Sequence, residues 1–247
     1  MFKKSFRPIF FLVILGFFTF FVHTNPITSL SLTREEKVLP PAGAVEILPV
    51  ILGGADFLAE APDFSHPEEP CLPTSLGSLI YYNQQDARWA GYLYGGADPL
   101  YEYGCGPTVV SMVVSSFTGT PMNPAEMAQW ASDHSYWAPG SGSFHALIPG
   151  ALSAFGLKTE SIPDHSPQNI VSLLESGKIL IALMDKGHFT RSGGHFIILA
   201  GISSDGRILV ADPNNAELTT QTWDPALISS EIRLRAGDGG PLWAVSR

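Results

Sequence analysis

From residue 78 onward, apolar positions follow two rhythms. Val109, Val110, Met112, Val113 and Val114 recur at helical spacing, and the helix they predict opens at Cys105 and runs to about Phe117, before Gly119. Asn123 then stands where a cap belongs, with Pro124 at the first helical position and Glu126 in the first turn, which predicts a helix ending near Asp133. Another helix is expected after Ser143, with Pro149 breaking or kinking it. Ser166-Pro167 starts one more, through Ile170, Val171, Leu173 and Leu174 to Gly177. Strands are expected at about Ser78–Tyr82, Ile179–Met184, His195–Ala200, Ile208–Ala211 and Leu242–Val245, where short apolar runs stand between turn residues.

Apart from the short strand near residue 80, helices come first and strands afterwards. That order predicts an α+β domain, a helical half packed on an antiparallel sheet half, with a cleft between them. At 247 residues, 45% hydrophobic and 15% charged, the chain has room for one sizeable core. We therefore expect one domain over residues 76–247.

The N-terminus follows other rules. Lys3, Lys4 and Arg7 precede the apolar run Ile9–Val22, whose 14 residues fall short of the roughly 20 that a spanning helix prefers. Residues 1–31 thus read as a secretory signal, with an uncleaved anchor as the alternative because Ser29 and Ser31 offer no clean Ala-x-Ala site. Either way the domain is expected outside the cytosol, secreted or on the outer face of the membrane. Residues 32–75, with prolines at 40, 41, 49, 62, 67, 70 and 73, read as a linker or pro-segment, although Val45–Leu52 is apolar enough to cover the domain.

Charge narrows the partners. The 14 basic residues less Lys3, Lys4 and Arg7 leave 11 against 23 acidic ones, about −12 for the exported part. No basic stripe is available to neutralise phosphates, so no nucleic-acid partner is expected, and polybasic clusters for lipid headgroups are missing. Contact with a membrane is expected only through the N-terminal anchor, and the chain is expected to be a monomer.

The candidate chemistry begins at Cys105, set in Gly104-Cys105-Gly106-Pro107-Thr108. Glycines on both sides allow a ligand to come close, and the helix N-terminus offers unpaired N–H groups and partial positive charge, all of which favour a thiolate. The plainer reading is a small buried residue or half of a disulfide with Cys71, the other cysteine of an exported chain. A catalytic thiolate needs a histidine, and the histidine needs an orienting acceptor. Gly193-Gly194-His195 stands at the mouth of one predicted strand, and Asp212-Pro213 ends the next. If the turn Ser203-Ser204-Asp205-Gly206 closes a hairpin, it brings Asp212 beside His195. Alone, each has an ordinary reading, a strand-edge histidine and a turn aspartate. Gln84, upstream, is the candidate donor to an oxyanion, although a glutamine in a polar turn is by itself a solvated residue.

Taken in order, Asn83-Gln84-x-Asp86-x-Arg88-Trp89, Tyr103-Gly104-Cys105-Gly106-Pro107-Thr108, Gly194-His195-Phe196-Ile197 and Asp212-Pro213 resemble the motifs of a papain-like cysteine peptidase family. The branch is the one related to peptidases that process bacteriocin leaders at a double glycine. The resemblance spans about residues 78–247. It implies a papain-like fold, cleavage of peptide bonds in a peptide or protein, Cys105 as nucleophile, His195 as base and then acid, Asp212 as orienter and Gln84 as oxyanion donor. Leader peptidases of this branch are fused to a membrane transporter, and no stretch here reads as one, so leader cleavage is not carried over.

The remaining titratable and aromatic residues are weaker candidates. His188 could touch substrate, though a loop histidine is the plainer reading. His134, His145 and His165 lack metal-ligand spacing, so no metal or cofactor is expected. Tyr136 and Trp137 could line a groove or be packed aromatics. Two rival functions stay open: a cell-wall peptidoglycan amidase or endopeptidase using the same pair of residues, and an exported binding module that keeps the fold without the chemistry.

Overall fold

The computed structural model describes residues 70–247. The expected signal segment at 1–31 and the Pro-rich stretch up to residue 69, Val45–Leu52 included, lie outside the described residues. The described part begins with a hairpin, β1 (Cys71–Thr74) and β2 (Gly77–Ile80), so strand structure reaches back before the boundary expected at residue 76. Next come the two-residue strands β3 (Leu93–Tyr94) and β4 (Asp98–Pro99) and a single helical turn, α1 (Leu100–Tyr103). Helices α2 (Cys105–Phe117) and α3 (Pro124–Asp133) follow, then the small hairpin β5 (Trp137–Ala138) and β6 (Gly142–Ser143), and α4 (Leu147–Ala154). The second half holds β7 (Lys158–Ser161), α5 (Pro167–Glu175), β8 (Ile179–Met184), β9 (His195–Ile202) and β10 (Ile208–Ala211). It ends with α6 (Ala216–Thr219), β11 (Thr222–Trp223), α7 (Pro225–Glu231) and β12 (Leu242–Ser246).

Local chemistry sets the helix starts. The Asn123 side chain accepts from the N–H groups of Ala125 (2.9 Å) and Glu126 (3.0 Å), and Glu126 accepts from the Asn123 N–H (2.8 Å). This reciprocal box satisfies donors that a helix start would leave unpaired, a gain of about 1 kcal/mol. Ser166 caps α5 with a single bond, its hydroxyl accepting from the Asn169 N–H (3.4 Å), and Pro167 holds the first position. Pro149 neither breaks nor kinks a helix, contrary to expectation: α4 begins at Leu147, so the proline falls in the first turn, where no intrahelical N–H bond is lost.

Six strands form one sheet in the order β11-β10-β9-β8-β12-β7, and every neighbouring pair is antiparallel. The α+β class is as expected, with helices α2, α3 and α4 packed on an antiparallel sheet; α5 and α7 add a second layer on the sheet's other face. Along β8, Ile179, Ile181 and Leu183 pack with the core of α2, α3 and α4, while Leu180, Ala182 and Met184 pack with Ile170 and Leu174 of α5 and Ile228 of α7. The same alternation divides Phe196 and Ile198 from Ile197 and Leu199 in β9. Strands buried on both faces need apolar residues at every position, which explains the unbroken runs. Helix α2 is the centre of one layer, with Val109, Val110, Met112, Val113 and Val114 fully buried.

Candidate active site

Two junctions in this fold converge: the start of α2 and the open end of the β9–β10 hairpin. Cys105 is the first residue of α2, half-buried, and follows directly from the turn α1. The imidazole of His195 and the backbone N–H groups of Phe196 and Gly106 hydrogen-bond to its sulfur. His195 is the first residue of β9 and is 7% exposed. Its Nε2 lies 2.9 Å from Asp212 Oδ1, which leaves Nδ1 as the nitrogen that faces Cys105.

Asp212 directly follows β10 and is fully buried. Its Oδ1 also accepts from the N–H groups of Asn214 (2.8 Å) and Asn215 (3.1 Å), so the turn after β10 wraps around the carboxylate. Its own N–H donates to Thr219 Oγ1 (3.0 Å), and its carbonyl accepts from the Tyr81 hydroxyl (2.8 Å). Burial holds the Tyr81 phenol well above its ordinary range, so it stays a donor. The carboxylate is therefore fixed from several directions, and its imidazole partner is fixed with it.

Opposed effects set the charges. Burial pushes the Cys105 thiol up, but the His195 hydrogen bond, the His195 charge and the N–H groups of Phe196 and Gly106 outweigh it and bring it below the ordinary thiol value. Burial pulls His195 down, but its bonds to Asp212 and Cys105 and their charges raise it to about 10. Between those two limits the pair rests as thiolate and imidazolium.

Gln84 is 2% exposed. Its Nε2 donates to the Tyr101 carbonyl (2.9 Å), and its backbone N–H donates to the Pro213 carbonyl (2.6 Å). It is thereby tied to α1, the turn that delivers Cys105, and to the turn that holds Asp212. An amide NH2 group carries two hydrogens, and Tyr101 takes one. Among the described residues, Cys105, His195 and Asp212 share one chain of hydrogen bonds, and Gln84 is joined to it through Tyr101 and Pro213 rather than directly.

Several neighbours had no signal in the sequence. Gln85 Nε2 donates both to the Tyr101 carbonyl (2.7 Å) and to Asn214 Oδ1 (2.6 Å), closing a clasp over the same junction. Ser143 Oγ and the Tyr94 hydroxyl, 3.0 Å apart, sit behind the first turn of α2. Packing requires both glycines beside Cys105. A Cβ on Gly104 would stand 2.4 Å from the Leu100 carbonyl oxygen, and one on Gly106 would stand 2.7 Å from Ser143 Oγ.

The weaker candidates have structural roles. The Trp137 indole donates to Asp98 Oδ2 (2.9 Å), and Tyr136 stacks on Trp130, so both are packed aromatics. His188 pairs with Glu231 and meets the Trp223 ring edge-on. His134 stacks on Trp130, and His165 bonds to the Ile162 carbonyl. His145 accepts from the Gly237 N–H (3.0 Å) and meets the Phe196 ring edge-on. Among the described residues, no three His, Cys, Asp or Glu side chains stand where they could hold a metal ion. Cys105 carries a free thiol, and β2, the partner of the strand bearing Cys71, is fastened to the far end of α2 by the Ile80 N–H to Ser116 Oγ bond.

A model of the Peptidase_C39 like family matches residues 77–231, more than half of the chain and all four candidate positions. Among solved structures, the peptidase domain of Streptococcus ComA, a bi-functional ABC transporter involved in a quorum-sensing pathway, is 19% identical, with a TM-score of 0.44 over 59% of this chain and 90% of that one. A C39-like peptidase from Bacillus anthracis is 11% identical, with a TM-score of 0.40 over 68% of this chain and 94% of that one. No curated protein matches the sequence.

Proposed function

The chain belongs to the Peptidase_C39 like family, with its α+β papain-like fold, and we propose that it is an exported thiol hydrolase that cleaves peptide bonds through Cys105. The observation that supports this reading most is the hydrogen-bonded series from Cys105 to His195 to Asp212 at the start of α2. The Cys105 thiolate attacks the carbonyl carbon of a substrate amide. The resulting oxyanion is held by the second hydrogen of the Gln84 amide and by backbone N–H at the start of α2. His195 gives its proton to the leaving amine, the C–N bond breaks, and an acyl-enzyme remains. Water, deprotonated by His195, then attacks that thioester and releases the acid. Asp212 does not exchange the proton. It keeps the ring oriented and balances its charge.

In this reading the basic and apolar N-terminal segment carries the enzyme out of the cytosol, where the substrate is a peptide or protein. The test is hydrolysis of a peptide library by the full chain, with the reduced Cys105→Ala variant as blank and products identified by mass. Cleavage that vanishes in the variant supports the proposal. Cleavage confined to purified sacculi would assign the activity to wall peptides instead, and no cleavage together with an unreactive Cys105 would leave the binding-module reading.

A further inference from the structure

Arg233 lies two residues beyond α7 and just past the stretch that matches the family. Its backbone is pinned to β8, since its N–H donates to the Leu183 carbonyl (2.9 Å) and the preceding Ile232 bridges to Met184. That anchorage lays its guanidinium along the segment that enters β9. A Cβ built on Gly194 would stand 3.4 Å from Arg233 Nη1, and Gly194 immediately precedes His195.

Arg233 is half-buried, yet among the described residues no carboxylate or carbonyl accepts from its guanidinium. This contrasts with Arg207, whose side chain is bonded to both oxygens of Thr222. It is also unexpected in a chain where 23 acids face 14 basic residues. The nearby His145 does not share its charge: its ring accepts from the Gly237 N–H, and burial and then Arg233 itself hold it below the ordinary imidazole value. An unpaired fork of donors on a half-buried residue with an anchored backbone is suited to a planar anion such as a carboxylate.

We propose that Arg233 is a specificity residue that binds a substrate carboxylate beside His195, on the strip of surface that Gly194 keeps clear. This deepens the hydrolase reading and rests on it. The carboxylate comes from an acidic side chain near the cleaved bond or from a free C-terminus, and both chemistries fit the same fork.

The test compares two alkylating reagents of nearly the same size, one anionic and one neutral, through their rate ratio in each variant, in which their intrinsic reactivities cancel. The reduced full chain is treated with iodoacetate or iodoacetamide, and modification of Cys105 is followed by peptide mapping so that the exposed Cys71 is counted separately. Each reagent forms an S–C bond and releases iodide, but only iodoacetate carries a carboxylate. The expected result is an iodoacetate-to-iodoacetamide rate ratio that falls by about three- to tenfold in Arg233→Gln. Arg233→Lys should retain most of the ratio, and Arg235→Gln, an exposed neighbour with the same loss of charge, should leave it near wild type. Equal ratios in Arg233→Gln and Arg235→Gln overturn the proposal while leaving the hydrolase reading intact. A wild-type Cys105 that reacts with both reagents no faster than an ordinary peptide thiol removes the hydrolase reading and this proposal together. Short N-acetylated alanine peptides carrying Asp or Asn, each as free acid and as amide, then identify the source of the carboxylate. Arg233-dependent protection of Cys105 by the Asp amides points to a side chain, and protection by the Asn free acids points to a terminus. Protection indifferent to both changes counts against the proposal.

Discussion

His195 Nε2 and Asp212 Oδ1 meet at 2.9 Å, although 17 residues separate them, because the hairpin of β9 and β10 brings its two ends together. The register of that hairpin shifts between Leu209 and Val210. Such a bulge re-aims the side chains beyond it, and Asp212 is two residues further on. The pair therefore depends on backbone geometry as much as on the two side chains.

Replacing Asp212 should expose that dependence. Asp212→Ala removes the acceptor of His195 and leaves the Asn214 and Asn215 N–H groups without one, an expected loss of about 1–3 kcal/mol in urea unfolding. Asp212→Asn keeps the shape and loses the charge. It should fold nearly as well as wild type but lower kcat by roughly 10²-fold or more, since the ring loses its orientation and its counter-charge. Wild-type turnover in Asp212→Asn would refute the assigned role.

The pH profile follows from the direction of each shift. Cys105 has its value lowered in the folded protein, so its thiolate persists at pH values where a free thiol is protonated, and is lost only as pH falls through the depressed value. His195 is raised to about 10, so the proton needed by the leaving amine is lost only as pH rises through that region. Hydrolysis should give a broad bell between these limits, whereas alkylation should show the acid limb alone. In His195→Ala the burial of Cys105 remains without its compensating donor and charge, so the acid limb should move upward, toward or above the ordinary thiol value. An alkylation profile identical in wild type and His195→Ala would break the link between the two residues.

Much of this arrangement was legible in the sequence, and for physical reasons. Helix starts at Asn123 and Ser166 are written in short-range capping chemistry, and α2 in a period of apolar residues, so their bounds could be read directly. The pairing of His195 with Asp212 followed from strand polarity around one turn. What stayed hidden depends on contacts distant in sequence. An apolar run such as Ile179–Met184 states that both faces are covered without stating by what, so the outer layer of α5 and α7 could not be assigned. Elements of two to four residues, such as β3, β4 and α1, have too few positions for a period. The tie from Gln84 to the Tyr101 carbonyl has no sequence signature, because the acceptor is backbone.

Glycines 104 and 106 make separate predictions because their neighbours differ in kind. A Cβ on Gly104 would strike the Leu100 carbonyl at 2.4 Å, and that oxygen already accepts from the Gly104 N–H. Backbone cannot yield cheaply, so Gly104→Ala should cost about 1–3 kcal/mol and displace Cys105. A Cβ on Gly106 meets the Ser143 hydroxyl, a side chain that can rotate away at the loss of its bond to Tyr94. Gly106→Ala should therefore be the milder change in a urea melt. The reverse ranking would mean that the start of α2 is less rigid than these contacts require.

In the proposed mechanism, Gln84 separates nucleophile formation from transition-state stabilisation. It makes no bond to Cys105 or His195 and contributes nothing to the shifts of either, so its side chain can be cut back without disturbing the thiolate–imidazolium pair. Its backbone N–H to the Pro213 carbonyl survives substitution as well, which keeps the turn around Asp212 in place. An oxyanion donor matters only once the carbonyl oxygen acquires charge. Gln84→Ala should then alkylate at Cys105 with the wild-type rate and pH profile, while kcat for peptide hydrolysis falls by roughly 10²- to 10³-fold with KM little changed. Gln84→Glu places an acceptor where a donor is needed and should be at least as impaired. If alkylation and hydrolysis decline together in Gln84→Ala, the residue is holding the Tyr101 turn in position instead of donating to the oxyanion.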